Sequence, residues 1–370
     1  MKILFLTNIP SPYRVKFFQE LGKHVDLTVL YEKQLASNRD EKWVYQIDEC
    51  KSYKEIVLKA AIRRQDTAFC PSVVKYLKQA TYDFIIVGVY STATALYAIR
   101  YMKRKKIPYW ISCDGALVKN ENSLKRFVKK QFLVGADGYF SSGAMTDQWL
   151  MHYGVSEEKI YRYPFSSIYD KQVEKAIVDE GSRVELKRKL GFSYPYNILF
   201  AGQFIHRKGV DTLLDAVERL PRDIGVYLVG GKPQEEYLQK VREGKLTNVI
   251  FLPFMQESCL KEYYIAADLF VLPTREDIWG LVINEALGNG VEVITTDKCV
   301  AGMEMIQDGV NGRIVPADDS ESLAKAILEE LHLPKEEKER RREEALKVAA
   351  QYTIERMVES HLKAWESIKL

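Results

Sequence analysis

The stretch DLFVLPTREDIWGLVINEALGNGVEVIT, residues 268–295, carries the pattern that decides the fold of this chain. A continuous apolar run ends at Leu272, a polar loop follows, and a helical pattern begins near Leu281 and ends before a second apolar run at Val291. Short apolar runs on either side of a helix are typical of parallel strands that are buried on both faces. The stretch therefore predicts a strand–helix–strand unit of an α/β domain.

The same alternation of apolar runs and helical patterns extends along the rest of the 370 residues. Apolar runs of strand length begin near residues 3, 26, 83 and 107 in the first half and near 196, 225, 248, 268, 291 and 312 in the second. A polar stretch, residues 166–191, joins the two series. We therefore expect an α/β protein with two doubly wound, Rossmann-like domains that face each other across a cleft, with ligands at the carboxyl ends of the strands.

The composition is that of an ordinary globular protein, with 46% hydrophobic and 28% charged residues. These values exclude a disordered chain, a collagen-like chain and a coiled coil. The longest apolar runs fall far short of the roughly 20 residues that a membrane-spanning helix requires. The opening MKILFLT is too short an apolar stretch for a signal peptide, so a cytoplasmic location is expected.

Sequence signatures of metal and nucleotide sites are missing. The five cysteines are at least 20 positions apart, and the five histidines form no H-E-x-x-H pair. No Asp-x-Asp pair is present to hold a divalent metal against a diphosphate. No G-x-G-x-x-G follows the first strand and no P-loop motif occurs, which disfavours a dehydrogenase and a P-loop ATPase.

The charge is divided unevenly between the two halves. Residues 1–165 carry 26 Lys and Arg against 16 Asp and Glu, whereas residues 166–370 carry 28 against 35. Many of the basic residues lie between Arg100 and Lys130, interleaved with Tyr101, Met102, Tyr109, Trp110, Phe127, Val128 and Phe132. This composition favours an anionic membrane surface as a partner, although two ordinary amphipathic helices with solvated Lys faces would have it too. Nucleic acid is disfavoured because no nucleic-acid-binding module accompanies the patch.

The loop and helix that follow Leu272 carry a candidate anion site. The free N–H groups at the start of the helix, at Gly280, Leu281 and Val282, would receive a phosphate. Glu285 lies about one turn into the helix, where its carboxylate could bind a ribose diol, and Asp277 lies where an attached sugar would project. Alternatively, Glu285 only complements the helix dipole and Asp277 caps the helix.

The spacing from Asp277 to Glu285 resembles the E-x7-E motif of the retaining GT-B glycosyltransferases, glycosyltransferase family 4. GQFIHRKGVDTLL, residues 202–214, resembles that family's G-R-x-x-x-x-K-G-x-x-x-L-L segment. The further segments VGG, VIFLP and GVNG follow in family order, at residues 229–231, 249–253 and 309–312. SPYR at 11–14 and SCDG at 112–115 resemble weaker features of the family.

The resemblance implies a metal-independent hexosyltransferase that retains anomeric configuration and requires no cofactor besides its nucleotide-sugar substrate, a UDP- or GDP-sugar. Residues 166–352 would bind this donor. Residues 1–165 would bind a glycan or lipid-linked acceptor, and the C-terminal helix 353–370 would pack back on that domain. The basic segment between Arg100 and Lys130 suggests a lipid-linked acceptor and hence surface polysaccharide biosynthesis, with the enzyme cytoplasmic or peripheral on the inner membrane face.

The resemblance also assigns roles to individual residues. Lys208 would contact the donor diphosphate beside Gly202, Glu285 would bind the ribose, and Asp277 would lie beside the transferred sugar. The family has Arg where this chain has Gln203, and Arg207 is the candidate to replace that charge. Asp277 is one methylene shorter than the family's Glu, so Glu276 is an alternative residue to reach the sugar.

Other expectations rest on the residues alone. Asp114 follows the strand that ends near Ser112 and could meet an acceptor hydroxyl, although Asp before Gly is often a turn residue. His206 could assist the leaving group or be a solvent-exposed loop residue. Two other functions fit the same architecture: a sugar-nucleotide epimerase, and a catalytically inert scaffold that binds nucleotide only.

Overall fold

The computed structural model describes residues 1–34, 51–63, 68–77 and 82–369, which form two compact units. Unit 1 comprises Met1–Ser167 and Thr353–Leu370, and unit 2 comprises Ile168–Tyr352. The sequence places these boundaries after residues 165 and 352, so the first differs by two residues. Among the cysteines of the sequence, Cys50 lies outside the described residues.

Unit 1 is built on a parallel sheet. In chain order its elements are β1 (Lys2–Thr7), α1 (Pro12–Leu21), β2 (Asp26–Tyr31), β3 (Lys54–Val57), β4 (Ile62–Arg63), β5 (Ala68–Phe69), α2 (Val73–Leu77), β6 (Phe84–Val87), α3 (Ala93–Lys105), β7 (Trp110–Cys113), α4 (Ser123–Leu133), β8 (Gly138–Ser141), α5 (Ala144–His152) and β9 (Ile160–Arg162). Within the described ranges, seven strands form one parallel sheet in the order β3-β2-β1-β6-β7-β8-β9. Strands β4 and β5 form a separate antiparallel pair.

Unit 2 is built in the same way. Its elements are α6 (Glu180–Leu190), β10 (Tyr196–Ala201), α7 (Val210–Val217), β11 (Ile224–Val229), α8 (Glu235–Glu243), β12 (Val249–Leu252), α9 (Glu257–Ala266), β13 (Leu269–Leu272), α10 (Leu281–Gly288), β14 (Val293–Thr296), α11 (Val300–Met305), β15 (Gly312–Val315), α12 (Ser320–Leu331) and α13 (Lys335–Ala349). Its described strands form one parallel sheet in the order β12-β11-β10-β13-β14-β15. The prediction of two doubly wound, Rossmann-like α/β domains is confirmed.

The strand order reverses at one point in each sheet, between β1 and β6 in unit 1 and between β10 and β13 in unit 2. The two central strands of unit 2 are apolar except at Asn197, because helices cover both faces of the sheet. Ile198 pairs with Leu269 and Leu199 with Phe270, and all four are buried. Ligands of such sheets bind beyond the carboxyl ends of the strands at the reversal. In unit 2 the loops at this position are residues 202–209 and 273–280.

The chain ends in a helix that belongs to unit 1, α14 (Ile354–Lys369). Its Trp365 is fully buried and stacks on Phe84, with ring centroids 5.5 Å apart. The His361 ring is equally buried, 4.0 Å from the ring of Phe140 and 4.8 Å from that of Phe17 on α1. The prediction that the C-terminal helix packs back on the N-terminal domain is confirmed.

The prediction that apolar side chains are exposed among the cations between Arg100 and Lys130 is wrong for three of them. Met102, Tyr109 and Trp110 are buried in the core of unit 1, because the inner face of α3 and the whole of β7 face other apolar side chains. Exposed apolar side chains of this segment lie on α4 instead, where Phe127 is 58% exposed. None of the helices in the described ranges is both long and apolar enough to span a membrane.

Candidate active site

The first loop of the candidate site places Lys208 at the carboxyl end of β10. Residues His206–Lys208 form a single 3-10 turn that ends at Gly209, whose φ of 67° is left-handed. A Cβ atom on Gly209 would lie 2.0 Å from the carbonyl oxygen of Pro273. Glycine therefore lets the two loops approach closely, and Lys208 becomes a buried residue at their junction.

An ion-paired cluster joins the two loops. The Lys208 ammonium pairs with Oδ2 of Asp277, and a guanidinium nitrogen of Arg207 lies 3.3 Å from Oδ1 of the same carboxylate. Arg207 also donates a hydrogen bond of 2.6 Å to the carbonyl oxygen of Glu276. The Lys208 and Asp277 side chains are only 11% and 9% exposed, so their charges interact with little screening by water. Lys208 and Arg207 thus both pair with the same carboxylate.

Thr274 and Arg275, which the sequence interpretation missed, hold the backbone of the Lys208 turn. The Thr274 hydroxyl donates a 2.8 Å hydrogen bond to the Arg207 carbonyl, and the Arg275 guanidinium donates one of 2.7 Å to the His206 carbonyl. Arg275 also pairs through two nitrogens with Asp211, at 2.7 and 2.8 Å, and these hydrogen bonds raise its pKa. Thr274 and Arg275 directly precede Glu276, and this position beside the candidate residues was the only sign in the sequence of their role.

The loop that carries Asp277 is also fixed from its other side. The Asp277 amide donates to the Lys298 carbonyl at 2.9 Å, and the Asp277 carbonyl accepts from the Val300 amide at 3.1 Å. Two residues on, the Trp279 indole N–H donates to Oδ1 of Asn284 at 2.9 Å and is buried. The Asp277 carboxylate is therefore presented by a rigid backbone rather than by a free loop.

The start of α10 lies directly after this loop. Gly280 precedes the helix with φ 107°, and a Cβ there would lie 2.8 Å from Sγ of Cys299. Within the part of the chain that the structure describes, no side chain caps α10 and no acidic residue lies in its first turn. The alternative that Asp277 caps the helix is therefore wrong. The N–H groups of Leu281 and Val282 lie at the positive end of the helix dipole.

Glu285 is half-buried on α10 and accepts a hydrogen bond of 3.1 Å from the hydroxyl of Tyr264 on α9. Tyr264 is 1% exposed, and burial together with the neighbouring Glu285 charge raises its pKa well above the usual value. The hydroxyl thus stays protonated and holds the carboxylate in place. The sequence interpretation missed Tyr264, which lies 21 positions earlier on another helix with no motif around it.

The remaining predicted residues of unit 2 lie in the same loops. Gln203 and His206 are exposed, whereas Gly202 and Glu276 are half-buried. The structure thus brings the side chains of Arg207, Lys208 and Asp277 together, and Glu276 meets them through its backbone carbonyl.

Asp114 lies in unit 1, in the loop after β7, as the sequence predicts. Its carboxylate pairs with the buried guanidinium of Arg14 and accepts a 2.9 Å hydrogen bond from the Tyr163 hydroxyl. Burial raises the pKa of Asp114, and the Arg14 charge opposes that change. The SPYR and SCDG segments therefore meet through side chains 100 positions apart, a contact that the sequence interpretation missed.

Among the described residues, no group of three or more His, Cys, Asp or Glu side chains is arranged to hold a metal ion. Comparison with known families gives a direct result for the second half of the chain. Residues 195–332 match the family model described as "Glycosyl transferases group 1". This segment is a glycosyl transferases group 1 domain. It contains Lys208, Asp277 and Glu285, whereas Asp114 lies outside it.

Some relatives and solved structures match well beyond the group 1 domain. An "Uncharacterized 41.2 kDa protein in cps region" of Klebsiella pneumoniae is 23% identical over 80% of this chain and 82% of its own length. The "O-antigen chain mannosyltransferase C" of Escherichia coli is 24% identical over 71% of this chain and 70% of its own. The crystal structure of Anabaena HepE in complex with UDP is 18% identical, with a TM-score of 0.78 over all of both chains. The chain thus has the fold of GT-B glycosyltransferases, and the glycosyltransferase prediction is confirmed at this level; the family 4 assignment stays a prediction.

Proposed function

We propose that this protein is a metal-independent, retaining glycosyltransferase that moves a hexose from a UDP- or GDP-sugar to a glycan or lipid-linked acceptor. The observation that carries the proposal is the cluster of Lys208, Arg207 and Asp277 at the reversal point of the unit 2 sheet. It lies where parallel α/β sheets bind ligands, and it is followed by an uncapped helix start.

The cluster has the charges that a nucleotide-sugar donor requires. Breaking the bond between the sugar and the diphosphate leaves negative charge on the leaving phosphate, and Lys208 with Arg207 would stabilise it. The N–H groups of Leu281 and Val282 would add hydrogen bonds to the same anion. A diphosphate would compete with Asp277 for Lys208, which would free the Asp277 carboxylate to bind the hexose.

Glu285 would bind the donor ribose, because a carboxylate can accept hydrogen bonds from both hydroxyls of a diol. Tyr264 would act as its positioning residue, since its hydroxyl donates to one carboxylate oxygen and so fixes the orientation of the carboxylate.

Retention follows from attack on the face that the leaving group departs from. The bond from the anomeric carbon to the phosphate oxygen breaks, the bond to the acceptor oxygen forms on the same face, and the acceptor proton passes to a leaving-phosphate oxygen. No covalent intermediate with the protein is required. Asp114, oriented by Arg14 and Tyr163, would position the acceptor hydroxyl in unit 1.

The acceptor class is proposed from the relatives. One is named for O-antigen chain mannosyl transfer and another lies in a cps region, and both match more than two thirds of this chain. We therefore place this protein in surface polysaccharide biosynthesis, in the cytoplasm or peripherally at the inner membrane face.

The test has two stages. A thermal-shift panel of UDP-, GDP-, ADP- and CMP-sugars would identify the donor, because a ligand that binds the folded state raises the melting temperature. Incubation of that donor with candidate acceptors, followed by NMR of the product, would then give the anomeric configuration. Conversion of the donor without any acceptor would indicate an epimerase, and binding without transfer or hydrolysis would indicate an inert scaffold; either outcome would overturn the proposal.

A further inference from the structure

Helix α4 of unit 1 is unusual in how little of it is buried. Among its described residues Leu133 is the one buried side chain, whereas Leu124, Phe127 and Val128 are 73%, 58% and 47% exposed. Positions three and four apart lie on one face of a helix, so these three form a single apolar stripe. Leu133 lies about 180° around the helix from Leu124, so the stripe faces away from the core.

The cations of α4 are arranged around this stripe. Lys125 and Lys130 are exposed on its two sides, and residues 122–136 contain no Asp or Glu. The exposed Arg104, Lys105 and Lys106 end the neighbouring helix α3. The face therefore combines exposed apolar side chains with positive charge, which fits a surface that offers both hydrocarbon and anions.

The other basic residues of this region hold α4 in place. The Lys103 ammonium donates to the carbonyl oxygens of Gln131 and Val134, the second at 2.6 Å, and burial lowers its pKa. Lys129 pairs with Glu121 at 2.7 Å, and Arg126 donates to the His152 carbonyl at 3.1 Å.

We infer that α4 docks on a lipid bilayer with anionic headgroups, inserting Leu124, Phe127 and Val128 between them while Lys125 and Lys130 bind their charges. A helix with Phe and Leu on one face and Lys or Arg beside them lies in the plane of such an interface. Anionic lipid is the occupant because a second copy of this chain would place the same cations against each other. The inference stands independently of the proposed donor site, which lies in unit 2.

The experiment is flotation of the full chain with phosphatidylcholine vesicles, with and without phosphatidylglycerol, at low and high salt. The wild-type protein should float only with anionic vesicles, and less at high salt because salt screens the surface charge. The double variant Leu124→Gln/Phe127→Gln should bind about tenfold more weakly at low salt, a change of about 1.4 kcal/mol. Lys125→Gln/Lys130→Gln should lose most of the salt-sensitive binding.

The matched control is Val184→Gln, which changes an apolar residue that is 56% exposed on α6, a helix that also ends in several cations. It should float like the wild type. A tryptophan at position 127, introduced as Phe127→Trp, should shift its emission to the blue on anionic vesicles, whereas Val184→Trp should not.

Equal flotation of the wild type and the Leu124→Gln/Phe127→Gln variant would overturn the inference and leave α4 as a solvated helix. A lipid-free dimer of the wild type that this variant abolishes would overturn it in favour of a second copy. Sugar-nucleotide affinity, measured on the same variants, should stay unchanged, so failure of this inference and failure of the donor-site proposal are distinguishable.

Discussion

The ammonium group of Lys208 pairs with the carboxylate of Asp277, 69 positions later in the chain, and both side chains are about nine-tenths buried. The pair joins the loops that leave β10 and β13, the two strands between which the sheet order reverses. A buried pair of this kind costs free energy to desolvate, and removing one partner leaves the other charge uncompensated. Its position fits a role in ligand binding better than a role in stability alone.

The first prediction concerns the two cations of the cluster. Lys208→Ala should reduce turnover more than Arg207→Ala, because Lys208 is buried against Asp277 whereas the Arg207 side chain is 42% exposed. Initial rates with saturating donor would compare the two variants. Comparable losses would show that Arg207 replaces the charge missing at Gln203, and Gln203→Arg should then rescue Arg207→Ala. A larger loss in Arg207→Ala would contradict the assignment of Lys208.

The second prediction concerns the stability of the same pair. Asp277→Ala should destabilise unit 2 by about 3 kcal/mol, the lower end of the range for breaking a buried ion pair, because Lys208 would stay buried without a partner. Urea unfolding of the variant and the wild type would measure this difference in the free energy of unfolding. The exposed pair of Lys189 and Glu262 is the control, and Glu262→Ala should cost less than about 1 kcal/mol. Equal losses would mean that the Asp277 carboxylate is solvated.

The third prediction concerns the ribose site. Glu285→Gln should weaken donor binding by about 1.5 to 3 kcal/mol for each charged hydrogen bond that is lost. Tyr264→Phe should weaken it less, because it removes only the group that orients Glu285. Calorimetry with the donor found in the thermal-shift panel would measure both, with Glu262→Gln as a control outside the site. If the folded Glu285→Gln variant bound the donor as tightly as the wild type, Glu285 would not bind the ribose and would only interact with the helix dipole.

The fourth prediction concerns metal. Transfer should persist in excess EDTA, because Lys208 and Arg207 supply the positive charge at the leaving phosphate. A complete loss of product that Mg²⁺ restores would overturn the metal-independent mechanism.

The fifth prediction concerns pH. Burial, and then the neighbouring Glu330, raise the pKa of Glu292 to about 9, although Arg341 lies 3.8 Å away. A carboxyl whose pKa is higher in the folded than in the unfolded state stabilises the fold less as pH rises between the two values, here from about 4.5 to about 9. The melting temperature should therefore fall between pH 6 and pH 9.

Glu292→Gln should reduce that fall, because an amide does not ionise. The exposed Glu329→Gln, on the same helix as Glu330, should leave it unchanged. Identical pH profiles for wild type and Glu292→Gln would contradict this account.

The periodicity of the sequence was sufficient to predict both Rossmann-like domains, because strands covered by helices on both faces are mostly apolar and stand out as short apolar runs between helical patterns. The motif around Asp277 and Glu285 was sufficient to predict a glycosyltransferase, because its spacing lies within one loop and one helix. Local patterns of this kind do not depend on which strands are neighbours.

The contacts that build the site do depend on the neighbours. Lys208 meets Asp277, Arg14 meets Asp114 and Tyr264 meets Glu285 only because the order of strands and helices brings distant segments together. Burial was decided in the same way: Trp110 lies in the core and Phe127 on the surface, although both belong to the basic segment between Arg100 and Lys130. Which face of an element is covered depends on what packs against it, and only the tertiary structure determines that.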